Sequence, residues 1–175
     1  IFVGGFNHLP NSDGLVWFVN EVFPVVLESL PDLQLYIVGS NMPDKIRRLE
    51  SRNIKVEGFL SDEALGDLYR RIRMSVVPLR FGAGIKGKVL EAMQKGIPVV
   101  TTSIGAEGIP NAGTNLMVED ASADLANCIV ESYSDVEMLK RHSIAGLETI
   151  AKYFSTDAVL KVIAEDFRKP KEKHK

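Results

Sequence analysis

The chemistry in this sequence is concentrated in one stretch, Pro78-Leu-Arg-Phe-Gly-Ala-Gly-Ile-Lys-Gly-Lys-Val-Leu-Glu-Ala-Met93. Gly82, Gly84 and Gly87 let the backbone approach a ligand closely, and the free N–H groups of a helix starting there attract anions. Lys86 and Lys88 set two ammonium groups beside them, with Ile85 inside the loop. A phosphate or diphosphate is the ligand such a loop suits. Glu91 stands four residues after Gly87 and so shares its helix face, one turn further on. A carboxylate there can accept hydrogen bonds from two vicinal ribose hydroxyls while the phosphates rest on the loop. The same residue can instead be a surface partner of Lys95 at i+4.

Two phosphate motifs overlap this stretch. Gly82-Ala-Gly-Ile-Lys-Gly87 fits G-x-G-x-x-G, and Gly82 to Lys88 fits most of the P-loop pattern. The P-loop needs a hydroxyl after its lysine to hold magnesium, and Val89 stands there, against an ATPase or GTPase. A dinucleotide site opens the first strand–helix–strand unit and finds an acid at the end of the next strand. Here the loop follows the fourth apolar run, the next run ends Thr101-Thr102-Ser103, and Glu107 lies well past that end.

Arg80, directly before the glycines, is a further candidate for phosphate or sugar contact, and so is Glu107 in the turn from Gly105 to Gly108. His8 reads as a solvated loop residue, Asn11 and Asp13 as caps of the first helix with ligand contact as the alternative, and Trp17 and Phe18 as packing residues. The lone Cys128 has no internal partner and falls in a helical run with Leu125 and Ile129, which suits a core thiol in a reducing compartment. No D-x-D sequence occurs, so neither an acid-pair metal site nor a cofactor is expected.

With 175 residues and 45% hydrophobic content the chain suits one core. A net charge of -2 supplies no basic field for nucleic acid, and no partner of that kind is expected. No apolar stretch reaches the ~18 to 20 residues of a membrane span, and a cytoplasmic place is expected. The sequence opens on Ile1 in an apolar run without Met or signal-peptide pattern, as a piece of a longer protein would. A basic tail over 169–175 follows Arg168 and reads as frayed and solvated.

Short Val- and Ile-rich runs position these residues: Ile1 to Val3, Leu33 to Val38, Ile54 to Val56, Met74 to Val77, Ile97 to Thr101 and Asn115 to Val118. Segments of helical period separate them, such as Leu15, Val19, Val22, Val26 and Leu30. Alternation of this kind predicts an α/β, doubly wound, Rossmann-like parallel sheet of about six strands with helices on both faces, then C-terminal helices. Ser61 predicts a helix cap, Gly96 a helix end, and Pro24 a bend in the first helical run.

Five pieces then occur in one order: Phe2-Val-Gly-Gly5 followed by Pro10-Asn11, Ile37-Val-Gly39, Val56-Glu-Gly-Phe59, Pro78 to Met93, and Gly96-Ile-Pro-Val-Val-Thr101. Together they resemble the C-terminal donor domain of family-4 glycosyltransferases of the GT-B fold, over most of residues 1 to 154. The resemblance implies that residues 1–168 form one domain binding a nucleotide-diphosphate sugar. Glu91 would hold the ribose, Gly82 and Gly84 to Lys88 the diphosphate, and Glu57, Gly58 and Phe59 the base. It further implies metal-free transfer to an acceptor hydroxyl with retention. An N-terminal acceptor domain would lie outside this chain, which alone would be inactive. Because relatives use lipid acceptors, peripheral contact with the inner face of the membrane is implied too. One departure stands out: the family's Glu-x7-Glu motif would begin at position 83, which is Ala83 here. That acid usually contacts the transferred sugar, and its loss keeps open a binding module without transfer. The same architecture also serves nucleotide-sugar 2-epimerases.

Overall fold

The structure is a computed structural model that describes residues 1–168, so the 169–175 tail lies outside the described residues. Strands and helices alternate as the apolar runs predict: β1 (Phe2–Val3), α1 (Leu9–Trp17), α2 (Phe23–Ser29), β2 (Leu35–Val38), α3 (Asp44–Arg47), β3 (Ile54–Gly58), α4 (Asp62–Tyr69) and β4 (Ser75–Val77). There follow α5 (Gly87–Gln94), β5 (Val99–Thr101), α6 (Ser103–Ala106), α7 (Ala112–Asn115), β6 (Met117–Val118), α8 (Ser122–Ser134), α9 (Val136–Thr149) and α10 (Thr156–Arg168). No described helix is long and apolar enough to cross a membrane.

Every strand pair is parallel, but the strands form two three-stranded sheets, β1-β2-β3 and β4-β5-β6, rather than the expected single sheet of about six. The reason lies at the seam. β1 gives β4 one bridge, in which the Ile1 carbonyl accepts from Val76 N–H at 2.9 Å and the Ile1 ammonium donates to the Met74 carbonyl at 3.0 Å. Two residues later Gly4 donates its N–H to the Val38 carbonyl at 3.0 Å, and the chain leaves the seam on the β2 side. One rung does not make a continuous ladder. Across the seam the strands still run in the order 3-2-1-4-5-6, with the reversal between β1 and β4.

Both sheets are covered. Phe2, Ile37, Val99 and Val100 are fully buried, as parallel strands faced on two sides must be. The expected bend at Pro24 takes the form of a π-helical turn over Phe18–Val22, immediately before α2, which carries the proline in its first turn. A proline there gives up no intrahelical hydrogen bond, and the wider turn moves the chain off the α-helical path without breaking it. The other boundary signals hold. Ser61 accepts from Ala64 N–H at 3.3 Å, and Gly96, at φ +70°, closes α5 with Gly96 and Ile97 N–H groups bonded to the Met93 and Ala92 carbonyls. That double closure is a Schellman motif.

Candidate functional site

In open α/β sheets the ligand crevice lies outside the carboxyl ends of the strands, where the strand order reverses. The loops after β1 and β4 flank that point, and the second of them is the glycine stretch. From Gly82 to Lys88 no backbone N–H donates to a backbone carbonyl among the described residues. Gly82 and Gly84 have φ of +124° and +78°, which a side chain resists. α5 begins with no side-chain cap at Lys86, so the amides of its first turn are free for a ligand. Val89, at the place where a P-loop would need its hydroxyl, is fully buried in the core beneath α5.

Lys88 rises from the first turn of α5 into the β1 side. Its Nζ lies 4.6 Å from the centre of the Phe2 ring and donates to Asn11 Oδ1. Burial pushes its pKa down to about 8. The β1 loop comes so near that a Cβ on Gly4 would stand 2.8 Å from the same Nζ. Asn11 is 7% exposed, and its Nδ2 donates to the Gly5 carbonyl at 2.7 Å. It is therefore not the expected cap. α1 starts at exposed His8, which makes no side-chain cap bond, and Asn11 sits one turn inside with its amide satisfied on both sides. A buried amide needs such partners, and here they tie the β1 loop to α5. Sequence reasoning missed this role, because Asn near a helix start reads first as a cap.

The remaining candidates divide. Lys86, with its side chain 10% exposed, donates to Glu107 Oε2 at 3.0 Å and to the Gly84 carbonyl. It clasps the glycine loop to the loop after β5, and Glu107 serves as its partner. Arg80 binds Asp13 through two parallel bonds of 2.8 and 2.7 Å, and its guanidinium lies 5.8 Å from the Trp17 ring. Those bonds hold the Asp13 carboxyl below its usual range and make Asp13 an ion-pair partner instead of the expected cap. Glu57 is the extra residue of a bulge between β2 and β3, where Val38 pairs with Gly58. Gly58, at φ +72°, accepts from Gly39 N–H at 2.8 Å, and Phe59 stands 77% exposed at the same end of the sheets. Cys128 is half-buried against the main core, and burial, then Glu119 and Glu131, push its thiol up.

Glu91 is half-buried on α5. It makes no salt bridge with Lys95 among the described residues, so the i+4 partnership is not formed. Burial, and then the charge of Glu91, push the phenol of Tyr69 at the end of α4 above its usual range.

The chain is 28% identical over 174 residues to an uncharacterized 44.6 kDa protein in the cps region of Klebsiella pneumoniae, covering 95% of this chain and 45% of that protein. It thus spans less than half the length of that relative. Among solved structures it is similar to TarM, at TM-score 0.77 and 19% identity over 95% of this chain and 34% of TarM. The C-terminal domain of LpcC, a group 1 glycosyl transferase of Francisella tularensis, gives TM-score 0.70 and 20% identity over 89% of this chain and 85% of that domain. Anabaena HepE, in complex with UDP and glucose, gives TM-score 0.69 and 20% identity over 97% of this chain and 48% of HepE. The family model of group 1 glycosyl transferases matches residues 1–135, the part that holds the seam, the glycine loop and Glu91, and the chain belongs to that family.

Proposed function

We propose that this chain binds a nucleoside diphosphate sugar at the β1/β4 seam and is the donor half of a retaining, metal-independent glycosyltransferase that acts on an acceptor hydroxyl. The observation that carries this reading is a convergence. The open amides of Gly82 to Lys88, the half-buried Lys88 ammonium and Glu91 one turn deeper lie together at the end of the sheets where α/β ligands bind. As the glycosidic bond breaks, negative charge grows on the leaving diphosphate. Fixed N–H donors and an ammonium stabilise that charge more than the ground state, which is how such a site lowers the barrier. A mutant of TarM has been solved in complex with fondaparinux, α-GlcNAc-glycerol and UDP, and HepE with UDP and glucose, so uridine nucleotides are the first probes.

The test is calorimetric titration and thermal shift of this chain with UDP, GDP, ADP and their common sugar conjugates, beside Glu91→Ala. A ligand at 100 times its Kd adds about 2.7 kcal/mol to stability, well within reach of a melting curve. Loss of hydrogen bonds to a charged group predicts binding weaker by roughly ten- to a hundredfold in Glu91→Ala. A panel bound equally well by both proteins would sink the reading. Residues 1–168 act in this reading as one donor-binding domain, completed by an acceptor domain outside the chain. We therefore expect no sugar transfer from the 175-residue chain alone, and turnover in a radiolabelled-donor assay would contradict it. Ala83 favours a second reading, a module that binds the nucleotide sugar without transferring it, because the acid expected at that place is absent. Transfer by the full-length protein would exclude it.

A further inference from the structure

Between Gly82 and Lys88 no side chain can accept a hydrogen bond, since the residues are glycine, alanine, isoleucine and lysine. A sugar carried on a diphosphate at this loop brings hydroxyl protons that need side-chain acceptors from neighbouring loops. On the β1 side the acceptors are taken: both oxygens of Asp13 receive Arg80, and Asn11 Oδ1 receives Lys88. Glu107, in the loop after β5, is different. Its Oε2 receives Lys86 Nζ at 3.0 Å, while Oε1 takes no hydrogen bond among the described residues and the side chain is 48% exposed.

The loop that carries Glu107 is firmly mounted on the exit of β4. Thr101 and Thr102 are buried, and their hydroxyls donate to the Val77 and Leu79 carbonyls. Thr102 Oγ1 also accepts from Gly105 N–H at 3.2 Å and so caps α6. Gly108 passes so near the glycine loop that a Cβ on it would stand 2.6 Å from Ile85 Cγ1. Lys86 completes the joint by donating to the Gly84 carbonyl as well. One carboxylate oxygen is thus fixed against the glycine loop, and the other is left open.

We propose that Glu107 is a sugar-binding residue, its open oxygen accepting a hydroxyl of the sugar on the diphosphate while Lys86 holds the other oxygen. The inference rests on the donor-site reading above. In that reading the nucleoside lies towards Glu91, so the sugar at the other end of the diphosphate falls towards Gly84 and Lys86, the part of the loop to which Glu107 is joined. The ion pair serves this task in two ways. It fixes the carboxylate before the sugar arrives, and its ammonium offsets the repulsion that a bare carboxylate would exert on a diphosphate.

The experiment is calorimetry of wild type and Glu107→Ala with UDP, GDP and ADP, with their glucose, galactose, N-acetylglucosamine and mannose conjugates, and with monodeoxy forms of the sugar that binds. Glu107→Ala is expected to weaken the conjugate on the order of three- to thirtyfold more than it changes the free diphosphate, the loss that follows removal of a hydrogen bond to a charged group. One monodeoxy form should be weaker than its parent by a similar factor on wild type and equal to its parent on Glu107→Ala, because the hydroxyl and the carboxylate are then one coupled pair. The deoxy series on wild type needs no substitution, so it tests the sugar contact whether or not the variant folds. A residue that only held Lys86 would change diphosphate and conjugate alike. Equal changes for the two ligands, deoxy losses that are the same in both proteins, or a diphosphate that binds while no conjugate does would overturn the assignment and leave the donor-site reading standing. Should no nucleoside diphosphate bind wild type, the donor-site reading falls and the sugar role falls with it.

Discussion

Lys88→Ala is expected to weaken nucleoside diphosphate binding by roughly ten- to a hundredfold, the loss that follows removal of a charge-assisted hydrogen bond from a partly buried site. Nothing else in the loop can replace it. Lys86, the other ammonium, is held by Glu107 and the Gly84 carbonyl, and Arg80 is occupied by Asp13. The open amides of Gly82 to Lys88 would still orient the phosphates, so weak binding should survive. Isothermal calorimetry of Lys88→Ala and Lys88→Arg separates charge from mere bulk. Undiminished binding by Lys88→Ala would remove the lysine from the site.

The same residue gives binding a pH dependence. Burial holds the Lys88 pKa at about 8, so the ammonium is charged at neutral pH and loses its proton as pH rises through that value. Affinity for a diphosphate should therefore be highest below pH 8 and fall about tenfold for each further unit until other contacts dominate. Lys88→Arg, which keeps its charge, should flatten that profile. Stability moves the other way. In the unfolded chain a lysine holds its proton to about pH 10.4, so between about pH 8 and that value the unfolded state binds more protons and stability rises with pH. Burial of the charged lysine is thus a cost carried below pH 8. The contacts with Asn11 and the face of Phe2 offset part of it.

What could be read from the sequence, and what could not, follows from the range of the interactions. The six strands, the helix ends at Ser61 and Gly96 and the bend at Pro24 are local consequences of apolar period, capping hydroxyl, left-handed glycine and missing N–H. The glycine loop and Glu91 were legible for the same reason, since one helix turn fixes their spacing. Asn11 was misread because its partner Lys88 stands 77 residues away, and nothing in the string Leu9-Pro-Asn-Ser-Asp13 marks an amide that must face inwards. Arg80 with Asp13, 67 residues apart, and Lys86 with Glu107, 21 apart, were likewise invisible as pairs. Arg80, Lys86 and Glu107 were read as candidate ligand contacts and Asp13 as a cap, without the counter-ion that the fold supplies to each. The division of the strands into two sheets depends on how many rungs β1 offers to β4, a matter of backbone position that composition does not encode.

Gly39→Ala is expected to be the most damaging single substitution in the chain outside the ligand contacts. Gly39 follows β2 with its N–H donated to the Gly58 carbonyl at 2.8 Å, which anchors it to the end of β3. On its other side the β1 loop passes so close that a Cβ would stand 1.8 Å from the Gly4 carbonyl oxygen and 3.2 Å from the Phe6 ring. The nearest obstacle is backbone, so no side chain can swing aside. Gly4 is itself held by its bond to the Val38 carbonyl, and Phe6 by its N–H bond to the Ser40 carbonyl. The strain has no outlet except parting β1 from β2, and core overpacking of that severity costs about 3 kcal/mol or more. Urea denaturation should show the unfolding free energy falling by that amount or the chain failing to fold; a free energy within about 0.5 kcal/mol of wild type would contradict the close approach. Gly84→Ala is the control, since a Cβ there meets nothing within 4 Å and only its φ of +78° resists the change. That conformation costs about 1 to 2 kcal/mol, clearly less. The two glycines thus answer different demands: Gly39 lets two backbones touch beneath the site, and Gly84 bends the loop while leaving the space above it for a ligand.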